Sequence, residues 1–172
     1  MSYAIVKNHT SIEMLDTGGV FIVSAIHHWA NATKNNIDPF PCLIEGFRAA
    51  NILDRVNTGP IILDDVLSSL IVSLNENPKE LFGSCSSLGQ IEEVILIIIA
   101  LSHSGESALA KRLIETWVPR STARFIYPNL VDLANSLISV ELKISLPPQC
   151  MNTISYILNS GVVLYSNKYI VN

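Results

Sequence analysis

The chain has 172 residues, 49% hydrophobic and only 15% charged, with a formal net charge of −4 at pH 7 and a mean hydropathy of +0.38. That length suits one globular domain with a substantial core, and so apolar a composition excludes intrinsic disorder. The acidic balance excludes bulk electrostatic binding to nucleic acid, which needs a clustered basic face.

Tyr3–Val6 reads as a short strand, and Thr10-Ser11-Ile12-Glu13 as the cap of a brief helix. Gly18-Gly19 breaks the chain before a largely buried helix over 20–31, whose stripes are Val20, Val23, Ile26 (or His27), Ala30 and Phe21, Ala25, Trp29. Asp38-Pro39-Phe40-Pro41 starts a second helix that carries Leu43, Phe47 and Ala50 to about Val56. Pro60 starts a third over 61–74, with Leu63, Leu67, Leu70, Ile71 and Leu74 inward. Its Asp64, Asp65, Ser68 and Ser69 face away.

Residues 75–89, with Pro78, Gly83 and Gly89, read as the longest loop, with room for one turn at Lys79–Phe82. Gln90–Ser104 follows and contains the unbroken aliphatic run Val94–Leu101. Without a polar side it must be covered all round. Burying its seven large aliphatic side chains is worth roughly 1.5–3 kcal/mol each, a gross upper bound of about 10–20 kcal/mol. The run falls far short of the about 20 apolar residues a membrane span needs, so it is read as a core helix. Ser104-Gly105 turns the chain, with one of the two at the next N-cap, into a helix over 106–118, and the pair forms an αα-hairpin.

Pro119 ends that hairpin. A helix over 121–138 meets Pro128, where a kink or restart is expected. Val140, Leu142, Ile144 and Leu146 then alternate with polar residues as in a strand. Ile154–Leu158 and Val162–Tyr165, around Asn159-Ser160-Gly161, give a hairpin signal, with Tyr169–Val171 as a further edge; a continuous C-terminal helix is the alternative, placed second by Gly161 and the β-branched content. The expected fold is mainly α within an α+β class. A compact bundle of five to six helices surrounds a central apolar helix at about 91–103, with a small C-terminal antiparallel β element over 140–172.

Candidate chemistry is sparse. His27 and His28 are adjacent on a helix, so their rings diverge by about 100° and cannot clasp one metal. His103 is the third member of a weak alternative metal set. Asp64-Asp65 and Glu92-Glu93 sit in first helical turns, where the helix dipole accounts for them. Ser104 is not in a nucleophile elbow, and no glycine-rich phosphate loop exists. Cys42, Cys85 and Cys150 form no disulfide framework.

One surface remains: Arg112, Trp117, Arg120, Arg124 and Tyr127, cations and aromatics of the kind that anchor protein interfaces. The resulting expectation is a cytoplasmic, non-enzymatic interaction or regulatory module that associates with a protein partner or with itself, without a cofactor. The alternatives are a small enzyme or metal protein using His27, His28, His103 and Asp64 or Asp65 in one pocket, and a binder of an apolar ligand between the helices.

Overall fold

Described over residues 11–74, 82–83 and 86–160, the computed structural model has one 3-10 turn, Ile12–Met14, and seven α-helices. These are α1 Thr17–Lys34, α2 Phe40–Ala49, α3 Gly59–Leu74, α4 Gln90–His103, α5 Ser107–Trp117, α6 Arg120–Ser139 and α7 Pro148–Ser160. The aliphatic run lies in α4, where Ile91, Glu92 and every residue from Val94 to Leu101 are buried. Helices α1, α5 and α6 pack on it, α3 lies between α2 and α6, and α7 rests on α5. A helix apolar on every side becomes stable when neighbours bury every side. No helix of the described residues is long and apolar enough to cross a membrane.

Helix ends follow local rules. Asp16 caps α1, its Oδ1 accepting the Gly19 N–H at 2.8 Å. Four helices end with a residue at positive φ: Asn36 (56°), Asn51 (57°), Gly105 (81°) and Glu141 (63°). In each the next N–H reaches back to close the last turn: Ile37 to Ala32, Ile52 to Phe47, Glu106 to Leu101 and Leu142 to Leu137. This is the Schellman pattern, which favours glycine or asparagine at the left-handed position. Glu141 is the poorly suited one, because its Cβ crowds the carbonyl there. Glu141→Gly should therefore raise the unfolding free energy by about 0.5–1 kcal/mol, read by urea denaturation.

Several expectations are corrected. Gly18-Gly19 do not break the chain but open α1, since Asp16 supplies the cap. A Cβ on Gly18 would lie 2.7 Å from the Lys143 carbonyl oxygen, so glycine is needed there for close approach. Helix α2 stops at Ala49 rather than near Val56, because Asn51 turns left-handed. Ser104 caps the end of α4, and Glu106, not Ser104 or Gly105, precedes α5. Helix α6 runs through Pro128 without a restart. Pro128 is on the exposed side, and the Asn129 amide donates to the Phe125 carbonyl at 2.9 Å.

The expected C-terminal β element is not found among the described residues. Residues 142–147 belong to no strand, and the described residues contain only an isolated bridge, Ser11 with Ser87. The alternation is real: Val140 and Ile144 are buried, Glu141, Lys143 and Ser145 exposed. Side chains elsewhere take the backbone N–H groups that a partner strand would have used. The Ile144 N–H donates to His103 Nδ1 at 3.0 Å and the Ser145 N–H to Asp16 Oδ2 at 2.6 Å. Ile154–Leu158, expected as strand, lies in α7, with Pro148 in its first turn and Cys150 and Ile154 buried one turn apart. The expected strands at 3–6, 162–165 and 169–171, and the turn starting at Lys79, lie outside the described residues.

Candidate functional site

The fold puts the chemistry-bearing side chains in three places: the two ends of α4 and the outer face of α3 and α6. At the first end, Glu92 is in the opening turn of α4 with its side chain fully buried, and His27 of α1 is 23% exposed. His27 Nε2 lies 2.9 Å from Glu92 Oε1, which also accepts the Gly83 N–H at 2.9 Å. The ring N–H does not point along the line to the carboxylate, so Nε2 has no aligned hydrogen bond, and Glu92 Oε2 has no hydrogen-bond partner. Oε2 lies 2.6 Å from where a Cβ on Gly89 would stand, so Gly89 is what lets the carboxylate fold back under the start of its own helix. The pair ties α1, the 82–83 segment and α4 together. The positive end of the α4 dipole favours a carboxylate there.

At the other end, His103 is committed to structure. Its Nε2 is 2.9 Å from the Ala134 carbonyl oxygen while Nδ1 accepts from Ile144. A carbonyl on one nitrogen and an amide N–H on the other require the neutral tautomer protonated at Nε2. Glu92 and His103 open and close one helix, eleven residues apart in sequence, or about 16 Å at 1.5 Å per residue. The structure therefore does not bring His27 and His103 together, and His28 is exposed on α1. The described residues contain no group of three or more His, Cys, Asp or Glu able to hold a metal. His103→Ala should cost about 1–3 kcal/mol, because it leaves two backbone groups without partners. Amide exchange should quicken at Ile144, which a purely packing role would not single out.

Of the carboxylates weighed for catalysis, Asp64 accepts the Trp29 indole N–H at 2.6 Å, and Asp65 faces outward. The Trp29 ring lies 6.1 Å from that of Phe82, tilted by 46°, and the Phe82 ring lies 5.8 Å from Lys34 Nζ. Asp64 thus holds α1 to α3.

The interface residues expected on the surface divide. Trp117 is wholly buried, as the last member of the α5 stripe Ala110, Leu113, Ile114, Trp117. Tyr127 is half-buried, its hydroxyl donating to the Ser107 carbonyl at 3.0 Å. Only Arg112, Arg120 and Arg124 are exposed. An i, i+4 spacing shows which residues share a face but not whether that face is inside.

The third place was missed. Ile61, Asp65, Ser68 and Val72 recur at i, i+4, i+7 and i+11 and form the outer ridge of α3; Val72 is 80% exposed and Ile61 50%. On one side of the ridge, an open groove of about 520 Å³ runs between α3 and α6, lined by Ile62, Asp65, Asn129, Asp132 and Ser136 among others. On the other, an open groove of about 540 Å³ is lined by Trp29, Ile37, Pro39, Ile71 and Val72 among others. Helices α3 and α6 are antiparallel: Ser73 Oγ meets Thr122 Oγ1 at 2.8 Å at one end, and Ile61 faces Ser136 across the groove at the other. Phe125 of α6, 46% exposed, therefore stands near the level of Val72. Two large aliphatics among the otherwise polar outward positions of α3 were the available signal.

The described residues form a mainly helical bundle whose α3 and α6 expose Ile61, Val72 and Phe125. No protein-family model matches the chain, and neither a curated protein nor a solved structure matches it.

Proposed function

We propose that this chain is a non-enzymatic protein-interaction or regulatory helical module that associates with itself. The observation that carries the reading is the outer face of α3 and α6. It exposes Ile61, Val72 and Phe125 beside two open grooves, while the aliphatics of α4 are all enclosed. Large exposed apolar side chains beside open grooves are the kind of surface that another molecule covers. The 15% charged content supports this, since few charges remain to solvate such a face. The partner class is protein, the setting is the cytoplasm, and the role needs no cofactor.

Sedimentation velocity and light scattering over a wide concentration range test it. The expected result is a mass that rises with concentration above the 18.9 kDa of one chain. A constant monomer mass at the highest concentrations overturns the reading.

A further inference from the structure

We infer that the self-association proposed above is an antiparallel two-fold dimer centred on Pro128, in which Arg124 of each copy pairs with Asp132 of the other. The inference rests on that reading and adds its geometry. Ser121, Arg124, Phe125, Pro128, Asp132 and Asn135 are all exposed and form the outward arc of α6. Among the described residues, neither the Arg124 guanidinium nor the Asp132 carboxylate has an ion-pair or hydrogen-bond partner within the chain.

The occupant follows from the order of these residues. When two copies of a helix pack antiparallel about a two-fold axis, residues equally far before and after the central one face each other across the interface. With Pro128 at the centre, Arg124 faces Asp132 of the second copy, a cation on an anion. Ser121 faces Asn135, polar on polar. Each pairing occurs twice, and no like charges from this arc are opposed.

Helix axes in contact lie about 8–10 Å apart, within reach of an arginine and an aspartate on facing helices. A heterologous partner of unrelated sequence would have no reason to match this arc against its own reverse.

Charge exchange provides the test. Arg124→Asp or Asp132→Arg alone places two like-charge contacts in the dimer and should weaken self-association at least about tenfold. The double variant R124D/D132R restores both attractive pairs and should regain wild-type association. An equimolar mixture of the two single variants should form heterodimers although neither forms homodimers. All positions are exposed, and circular dichroism checks that each variant is folded.

If the wild type dimerises while the single variants dimerise equally well, this geometry is overturned and self-association uses another face. If both singles weaken association but neither the double variant nor the mixture recovers it, the pairing is also overturned. A strictly monomeric wild type overturns the proposed function itself.

Discussion

Replacing Ile97 with alanine should lower the unfolding free energy by about 2–5 kcal/mol, because Ile97 is wholly enclosed in α4 and its loss leaves a cavity. Truncating Val72 on the exposed ridge of α3, at 80% exposure, should change it by no more than about 0.5 kcal/mol. Both substitutions remove aliphatic carbons from a helix, so the contrast isolates burial from helix propensity. Urea denaturation of the two variants beside the wild type measures it. An Ile97 effect as small as that of Val72 would mean that α4 is not at the centre of the bundle.

Glu92→Ala should be the most damaging polar substitution, at about 2–4 kcal/mol. It removes the acceptor for the Gly83 N–H and the carboxylate beside His27, and leaves a void under the start of α4. His27 is partly exposed, so water can take up some of what its ring loses. This keeps the figure below that for breaking a fully enclosed ion pair. Glu92→Gln should cost less, about 1 kcal/mol, because its carbonyl can still accept from Gly83. Its amide must then sit where Oε2 now meets Gly89. Thermal unfolding of the two variants gives the order. A glutamine variant as unstable as the alanine one would show that the charge, not the acceptor, holds the 82–83 segment.

These two predictions bracket what was readable. The place of Ile97 follows from an aliphatic run too short to span a membrane and too uniform to have a wet side. The role of Glu92 does not. In the sequence it is one of two acidic residues opening a helix, adequately explained by the dipole. Only folding shows that Glu92 is buried against His27 while its neighbour Glu93 is partly exposed. The candidate interface was half legible for a similar reason. Composition and spacing brought Arg120, Arg124 and Trp117 to notice, but the tryptophan lies on the inward stripe of α5 and only the arginines meet solvent.

By itself the sequence determined the helical character, the central position of 90–103, the proline-led starts of α2 and α3, and the turn at 104–105. Each is local: a 3.6-residue period, a missing N–H or a permissive φ acts within a few residues of its cause. Tertiary structure alone decided the fate of 140–147, where a strand-like alternation finds no partner strand. His103 and Asp16, 41 and 129 residues away in sequence, take its N–H groups instead. It also decided which polar residues are enclosed and which apolar ones stay outside. Those outcomes depend on which helix covers which face, and no window of neighbouring residues carries that information.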